Sequence, residues 1–519
     1  GVVLELTFAL HQPVALLQEL LASVSSPDSP SYGGYLSFDD VGEIVRDASA
    51  TAAVIAWLDD SGAETTTTPH GEYVKARAPV VIFNALLNAD FRAFHDDGRV
   101  HHRALEYSLP AHVAKRVSHV FGATHLPPAP RLRTAPKPLE ATALALQGAT
   151  PQLLNSYYNI KSNDGGGYGS QSLYESLGSN FSPSDLIKFQ EHFGLPTGEV
   201  AVVLGGHDQS AVCDEMSGSD SCGEANLDVQ YIMSIAQNVE TWFWYAETNS
   251  SFTDWAFAVA SRAGAPLVHS ISYGTYENGT ARSEIAAFDV EAMKLGLRGI
   301  TVVVASGDDG SANYLARDHP DFCQGYWPSW PASSPYVVSV GATQGPEAGS
   351  AEIACSVRTG ALITSGGGFS DVVDRPAYQD KAVRAFLDQP KFTFGPGFNA
   401  GGRGYPDVSM LGHDYPVIIG GTEMHFDGTS ASAPVFAGVL ALVNSDRLSK
   451  GQPSVGFANP VLYALAESHP GVFHDIVKGS NECPANVTAC CANVGFYATP
   501  GWDAVTGLGS VNVAKLVAA

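Results

Sequence analysis

The chain is poor in basic residues and has no long apolar run. Its 519 residues include 28 Lys and Arg against 53 Asp and Glu, which gives a formal net charge of −25. Domains that bind nucleic acid are usually basic, so we expect no nucleic-acid partner. No stretch reaches the ~18 consecutive apolar residues of a membrane-spanning helix, so we expect no membrane span. The acidic balance favours an acidic working environment, where part of this charge is neutralised.

Cysteine is also scarce, and its seven residues are partly grouped in the sequence. Cys213 lies close to Cys222, and a second group contains Cys483, Cys490 and Cys491. Disulfides form in oxidising compartments. The chain also carries four Asn-x-Ser/Thr sequons, at Asn180, Asn249, Asn278 and Asn486. These features predict a disulfide-bonded glycoprotein of the secretory route, while the odd number of cysteines leaves their pairing open.

Two folded units and a linker are predicted from the pattern of apolar residues. Residues 1–125 are typical of an α+β unit, with an amphipathic helix over Pro13–Val24 and a short last helix that ends near Gly122. Residues 126–148 are rich in proline and contain two arginines. They are predicted to form an extended linker that is open to proteolytic cleavage. The second unit covers 149–519.

The second unit alternates apolar strands with helices. Strands are predicted at 200–205, 239–245, 267–273, 300–306 and 336–340. Helices are predicted at 227–236, 253–262 and 284–297. Continuous apolar strands separated by helices indicate an α/β fold with a parallel sheet covered on both faces. In such sheets the chemistry collects at the carboxyl ends of the strands.

Ser430 is a candidate nucleophile. It lies in Phe426–Pro434, where a glycine turn leads into the apolar run Val435–Val443. The first turn of a helix offers backbone N–H groups that have no partner within the helix. Such groups can stabilise negative charge on a carbonyl oxygen under attack. The alternative is that Ser430 only caps a buried helix.

Two acidic segments supply candidates for proton transfer. Glu224 and Asp228 are four residues apart, which places them one turn apart on the same face of a largely apolar helix. Two neighbouring carboxyls resist ionising together, so one of them tends to keep a proton. Asp308 follows a buried strand, where a protonated carboxyl could donate a hydrogen bond to an oxyanion. Each pattern alone is equally typical of a solvated acidic helix or an ordinary turn.

Together these motifs resemble the sedolisin family, the serine-carboxyl peptidases, which share the subtilisin fold. Gly428–Pro434 is similar to the nucleophile motif of that family, Glu224–Asp228 to its acidic pair, and Ser306–Gly310 to its oxyanion-aspartate segment. The first unit resembles the family's prodomain, and Pro331–Val337 and Ser365–Ser370 also resemble family segments. The resemblance therefore covers essentially the whole chain. It implies a subtilisin-like parallel sheet with an N-terminal α+β prodomain.

The resemblance also implies a role for each candidate residue. Ser430 is the implied nucleophile, and Glu224 is the general base that takes its proton and returns it to the leaving amine. Asp228 is expected to support Glu224 through a short hydrogen bond. A protonated Asp308 is expected in place of the oxyanion-hole asparagine of subtilisins. Because a carboxyl base has an ordinary pKa of about 4 to 5, activity is expected in acid.

A structural calcium ion is implied by the same resemblance. Its expected ligands are the carboxylates of Asp475 and Asp503 and the backbone carbonyls of Ile476, Thr499 and Gly501. Thr499 stands where family members usually have glycine or lysine, a change that a carbonyl ligand tolerates. Oxygen-only ligation suits calcium. Separately, Ser272–Gly274 resembles the edge that pairs with an extended peptide substrate.

Asn226–Met233 resembles the tripeptidyl-peptidase branch of the family. We therefore expect an acid-acting peptidase that is made as a zymogen, is inhibited by its own prodomain, and releases tripeptides from the free N-termini of polypeptides. Its expected location is a lysosome, another acidic vacuole or the exterior of the cell. An acid endopeptidase of the same family is the alternative.

Two other classes of protein also fit part of the pattern. Paired carboxylates in a glycoprotein are typical of a glycosidase, which would leave Ser430 and Asp308 without a role. An inactive binding protein on the same scaffold would not need the four catalytic residues that the resemblance implies, and all four are present.

Overall fold

The computed structural model describes most of both predicted units. The described residues are 1–96, 99–124, 148–215, 221–247, 250–389, 395, 397–485, 491 and 494–519. The predicted linker, apart from Gly148, lies outside these ranges, as do the sequons at Asn249 and Asn486. Within the same ranges, no helix has the length and apolar character needed to cross a membrane.

The first unit is an α+β fold built on a four-stranded antiparallel sheet. Along the chain its elements are β1 (Val3–Leu10), α1 (Val14–Ser25), α2 (Phe38–Val45), α3 (Ala48–Asp59), β2 (Glu64–Thr67), β3 (Tyr73–Pro79), α4 (Val80–Leu86), β4 (Arg92–Asp96), β5 (Arg99–Arg103), α5 (Ala111–Ala114) and β6 (Val117–Phe121). The strand order in the sheet is β2-β3-β1-β6, and β4 and β5 form a separate hairpin.

The structure confirms one predicted helix of this unit and corrects another. The helix expected over Pro13–Val24 is α1. The last helix ends at Ala114, so the prediction that it continues towards Gly122 is wrong. The segment Val117–Phe121 is instead a strand that pairs with β1. Its β-branched and aromatic residues favour this edge position, where they pack on the sheet.

The second unit is a parallel α/β fold. Its elements are α6 (Pro151–Tyr157), β7 (Ser170–Glu175), α7 (Pro183–His192), β8 (Val202–Leu204), α8 (Ser210–Glu215), α9 (Gly223–Ile235), β9 (Glu240–Tyr245), α10 (Phe252–Ala260), β10 (Val268–Ile271), β11 (Thr275–Tyr276), α11 (Arg282–Leu297), β12 (Thr301–Ala305), α12 (Leu315–Asp318), β13 (Ser329–Trp330), β14 (Val338–Gln344), β15 (Ile353–Ala354), β16 (Gly368–Asp374), α13 (Asp380–Leu387), β17 (Gly402–Tyr405), β18 (Val408–Leu411), β19 (Tyr415–Ile419), β20 (Thr422–Phe426), α14 (Thr429–Ser449), α15 (Asn459–Ser468), β21 (Phe473–His474), β22 (Ser510–Val511) and α16 (Val513–Ala518).

The central sheet has the order β15-β14-β12-β10-β7-β9-β8, and β18 also pairs with β14. All of these neighbours are parallel except β14 and β15. The predicted buried strand at 200–205 is wrong in burial, because β8 is a short edge strand whose residues are only half-buried. The structure adds β7, a strand that begins with three polar residues and that the apolar pattern does not predict.

Helices cover both faces of this sheet. Alternate strand residues such as Leu173 and Val303 point to one face and belong to the same apolar core as α9 and α14. Their neighbours Tyr174 and Val302 point to the other face and pack with α10 and α11. The predicted α/β class with two covered faces is confirmed. The carboxyl ends of β7, β10 and β12 lead to the residues of the candidate site.

The first unit packs its apolar residues onto helix α11 of the second unit. Leu17, Leu21 and Val41 form one buried cluster with residues of α11, namely Val290, Met293 and Leu297. A second contact joins Phe121 of β6 to Phe257 of α10, whose ring centroids are 5.5 Å apart. The two units therefore share apolar cores.

A buried ionic network also joins the two units. The Nζ atom of Lys294 on α11 lies 3.0 Å from Oε1 of Glu72 in the first unit and 2.6 Å from Oε1 of Glu291. The Tyr73 hydroxyl of the first unit donates to Glu291 at 2.5 Å. All four side chains are buried. Because an unpaired buried charge is costly, each unit depends on the other to satisfy this network.

The disulfides fit the predicted secretory route, and the two described sequons differ in exposure. Cys213 is bonded to Cys222 and Cys483 to Cys491. Asn180 is only 7% exposed and its amide donates to the Gly178 carbonyl at 2.9 Å. Asn278 is exposed. Glycosylation at these sequons stays a prediction.

Candidate active site

Ser430 is the second residue of helix α14 and is almost fully buried. Pro434 stands four residues later and has no N–H to donate to the Ser430 carbonyl. That carbonyl accepts a hydrogen bond from the Ser272 hydroxyl at 3.3 Å instead. The Ser430 hydroxyl in turn donates to the Ser272 carbonyl at 3.2 Å. The candidate nucleophile is thereby attached to the chain that follows β10.

Glu224 and Asp228 lie in the first half of helix α9, directly after the Cys213–Cys222 disulfide. Both carboxyls are buried, and none of their oxygens has a hydrogen bond of good geometry to any described residue. Burial raises the pKa of Glu224 well above its usual range, and the charge of Asp228 raises it further. The neighbouring Ser430 hydroxyl opposes this rise in pKa. The structure thus brings the predicted base next to the predicted nucleophile.

The short hydrogen bond predicted between Asp228 and Glu224 is not formed. Asp228 lies one turn further along α9, where its carboxyl meets Glu175 and the Ser272 hydroxyl instead. Burial raises the pKa of Asp228 well above its usual range, and the charge of Glu175 adds to the effect. In this structure the two predicted carboxyls therefore influence each other through charge.

Glu175 is a third buried carboxyl of the site, and no sequence motif predicts it. It is the last residue of β7 and accepts a hydrogen bond from the Tyr273 hydroxyl at 2.7 Å. Burial raises its pKa well above the usual range, and the charge of Glu224 adds to this rise. An acid at the carboxyl end of a central strand would have been the signal, but β7 itself is not predicted.

Asp308 lies just beyond β12, and its carboxyl is hydrogen-bonded to Thr429, the residue before Ser430. Oδ1 of Asp308 accepts hydrogen bonds from both the backbone N–H and the hydroxyl of Thr429, each at 2.8 Å. The Thr429 hydroxyl itself accepts from the Gly307 N–H at 3.1 Å, so its own hydrogen points to Asp308. Because two donors meet Oδ1, the proton of a neutral Asp308 belongs on Oδ2.

The predicted segments around Asp308 and Ser430 meet in a single cleft. Its lining includes Ser272–Gly274, Ala305–Gly310, Ser329 and Thr429–Ser430. A hydroxyl nucleophile with a buried carboxyl beside it and an acid on the same cleft wall can carry out acyl transfer. The predicted substrate edge, Ser272–Gly274, lies in this cleft, where an extended peptide could lie along it.

The structure also brings together the loops predicted to bind calcium, with Asp475, Ile476, Thr499, Gly501 and Asp503. The Gly501 N–H donates to Asp475 at 3.0 Å, and the Thr499 N–H donates to Asp503 at 2.9 Å. Among the described residues, no group of three or more His, Cys, Asp or Glu side chains could hold a metal ion. A metal here would therefore need the backbone carbonyls as well. Two acids with carbonyl oxygens around them are a donor set that fits calcium.

Comparison with known families agrees with this division of the chain. Residues 2–126 match the family model described as "Pro-kumamolisin, activation domain". Residues 231–456 match the model described as "Subtilase family". The fold and the site therefore define a serine peptidase of the subtilisin fold that carries an N-terminal prodomain.

Similarity to individual relatives identifies the family within this class of peptidases. The chain is 36% identical to tripeptidyl-peptidase 1 of Canis lupus familiaris and 35% identical to that of Homo sapiens, and each match covers 99% of this chain and 91% of the relative. The solved structure of Pseudomonas sedolisin, complexed with two molecules of pseudo-iodotyrostatin, matches with a TM-score of 0.55 and 26% identity. That match covers 72% of this chain and 98% of the sedolisin chain. This chain belongs to the sedolisin family of serine-carboxyl peptidases, as predicted.

We expect Asp228→Asn to move the acid limb of the pH dependence of kcat/KM to lower pH. The charge of Asp228 raises the pKa of Glu224, so its removal lets Glu224 stay ionised in stronger acid. Peptide hydrolysis measured across the acid range checks this, with kcat itself falling about 10-fold. Glu175→Gln is the comparison variant with the opposite expected shift. Glu175 raises the pKa of Asp228, so its removal leaves Asp228 more ionised and should move the acid limb to higher pH. An acid limb that stays in place or moves to higher pH in Asp228→Asn would contradict the expectation.

Proposed function

We propose that this chain is the zymogen of an acid-acting peptidase that releases tripeptides from the free N-termini of polypeptides. The observation that carries the proposal is that Ser430 and Asp308 line one cleft, with the buried Glu224 carboxyl next to the Ser430 hydroxyl. The similarity to tripeptidyl-peptidase 1 over 99% of the chain supports the tripeptidyl mode. The proposed oxyanion donor supports an acid pH range, because only the neutral carboxyl of Asp308 can donate a hydrogen bond.

The proposed reaction proceeds through an acyl-enzyme on Ser430. Ionised Glu224 takes the hydroxyl proton while Ser430 Oγ attacks the carbonyl carbon of the peptide bond. The oxyanion that forms accepts a hydrogen bond from the proton on Oδ2 of Asp308. Glu224 then gives its proton to the leaving amine. A water molecule releases the acyl group by the same steps in reverse order, and Asp228 modulates the charge of the base throughout.

The exopeptidase mode predicts a strict requirement for a free N-terminus. Mass spectrometry at about pH 4 should find tripeptides as the first products of an unblocked peptide. The same peptide with an acetylated N-terminus should be cleaved at least about 100-fold more slowly, because one lost charged contact of a few kcal/mol is sufficient for this. Equal cleavage of internal bonds in both peptides would instead favour the acid endopeptidase.

We propose the boundaries 1–125 for the prodomain, 126–148 for the activation linker and 149–519 for the peptidase domain. The apolar cluster on α11 and the Glu72–Lys294 pair support a prodomain that stays bound as an inhibitor until the linker is cut. The polypeptide substrate and the chain's own prodomain are thus the proposed partners. The disulfides support a secretory route to a lysosome, an acidic vacuole or the exterior.

We also propose one structural calcium ion, held by the carboxylates of Asp475 and Asp503 and the carbonyls of Ile476, Thr499 and Gly501. When bound, the ion would neutralise two acids and fix the loops that follow β21 and precede β22. It would take no part in the reaction of Ser430.

Removal of calcium is therefore expected to destabilise the peptidase unit. A chelator should lower Tm by about 5 °C, which corresponds to the loss of an ion present at about 100 times its Kd. Calcium should restore Tm, and magnesium should not, because it prefers a smaller octahedral site. Asp475→Asn is the matched variant, and its Tm should respond much less to the chelator. An unchanged Tm in the parent protein would count against the ion.

A further inference from the structure

A second cavity lies between the prodomain and the peptidase unit, beside the Ser430 cleft. Its volume is about 460 Å³, and both units line it. The two spaces share a wall: Tyr174 of the cavity packs against Tyr273 of the cleft, with ring centroids 5.4 Å apart. Ser329 of the cleft is followed directly by Trp330 of the cavity. The cavity is therefore the space next to the cleft on this side.

Several polar groups of the cavity wall are buried without a partner. The indole N–H groups of Trp255 and Trp330 have no hydrogen bond to any described residue, and the side chains are only 2% and 1% exposed. One carboxyl oxygen of Glu284 is buried without a hydrogen bond in the same part of the structure. Buried polar groups are nearly always paired in a folded protein, so these groups point to a missing ligand.

The unpaired groups define the chemistry of that ligand. An indole N–H can only donate, which suits a backbone carbonyl oxygen of a peptide. Glu284 and Asp254, which both line the cavity, can accept hydrogen bonds from an ammonium group. Partial burial raises the pKa of Glu284 to about 7, and the charge of Asp254 adds to this rise. Negative charge on these carboxyls, beside N–H donors for backbone carbonyls, suits the N-terminal end of a peptide.

In the zymogen the prodomain supplies cations to these same carboxyls. Lys75 and Arg103 line the cavity from the prodomain side. Both favour the ionised form of Asp254, and Arg103 also favours that of Glu284. When the prodomain leaves, the carboxyls lose these positive charges and become open to solvent. The mature enzyme then has a negative site next to its cleft and no cation of the prodomain to fill it.

On the basis of the proposed function, we infer that Asp254 and Glu284 bind the α-ammonium group of the substrate. In the zymogen, the positive charges of Lys75 and Arg103 of the prodomain balance the negative charge of this subsite. Three extended residues span about 10 Å, which exceeds the 5.4 Å between the two aromatic rings that separate the cleft from the cavity. The fixed position of the ammonium group would thus place the bond after the third residue at Ser430. A basic side chain near the N-terminus offers similar chemistry, and the experiment separates the two sources.

The test uses the processed enzyme and three variants: Glu284→Gln, Asp254→Asn and the double variant. Each is assayed with a peptide with a free N-terminus, the same peptide acetylated, and a free peptide with lysine as its first residue. The double variant should raise KM for the free peptide about 10- to 100-fold with kcat nearly unchanged. Its preference for the free over the acetylated peptide should fall by the same factor. Glu191→Gln, which removes an exposed carboxylate on α7, is the control for net charge and should behave like the parent.

The possible results are distinct. If the parent enzyme does not discriminate between free and acetylated peptides, the proposed tripeptidyl function fails. If the parent discriminates and the double variant does so equally well, the function stands and this inference is overturned. If the variants lose only an advantage of the lysine peptide, the subsite binds a basic side chain and the α-ammonium assignment is overturned. Asp254 also accepts hydrogen bonds at the start of α10, so Glu284→Gln alone remains decisive if Asp254→Asn unfolds.

Discussion

Ser430→Ala is expected to lower kcat/KM for peptide hydrolysis by about 10⁵- to 10⁶-fold, or about 7 to 8 kcal/mol of transition-state stabilisation. The acyl-enzyme cannot form without the Ser430 hydroxyl, and the base then has no proton to take. Steady-state hydrolysis of an unblocked peptide in acid measures the loss. Ser432→Ala is the matched control on the same helix, because the Ser432 hydroxyl donates to the carbonyls of Met410 and Leu411. It should change stability more than activity.

The same substitution separates the reaction classes. A glycosidase that uses the carboxyl cluster would keep its activity in Ser430→Ala, and an inactive binding protein would show none in the parent. Self-processing provides a second readout: in acid the parent zymogen should be cut within residues 126–148, and purified Ser430→Ala should stay intact. Equal processing of the two proteins would rule out autocatalytic activation.

Glu224→Gln is expected to lower kcat by about 10⁴-fold while the fold is kept. Glutamine has the same shape, but its amide cannot accept the proton of Ser430. In the parent enzyme the rate should fall as pH falls through the raised pKa of Glu224, because only the ionised form can act as base. The residual activity of Glu224→Gln should lack that acid limb. An acid limb that persists in the variant would assign it to another group of the cluster.

Local motifs allowed the positions of three site residues to be predicted, while their catalytic roles stay predictions. Ser430 and Glu224 lie in the first turn of a helix and Asp308 follows a strand, so a few neighbouring residues determine each position. The parallel sheet was predictable for a similar reason, since inner strands such as β12 are continuous apolar runs. The family resemblance added the roles, which spacing alone left open.

Features that depend on distant contacts were not predictable. Glu175 was not predicted because β7 contains polar residues whose partners lie on other elements. One example is Thr241 on β9, which accepts a hydrogen bond from Gln171 at 3.0 Å. The burial of Asn180 and the strand at Val117–Phe121 likewise depend on packing against other parts of the chain. The cavity beside the cleft joins residues of two units far apart in sequence.

The contacts of helix α11 would make the proposed activation irreversible. The prodomain packs against the apolar residues of α11 and pairs with Lys294. After cleavage of the linker, as proposed, the prodomain would dissociate and diffuse away. The peptidase left behind then has a surface that its own chain cannot cover again. Unfolding and refolding would no longer be the reverse of each other for the processed enzyme. Its working lifetime in acid would then be set by the height of its unfolding barrier, and a molecule that once crosses this barrier is lost.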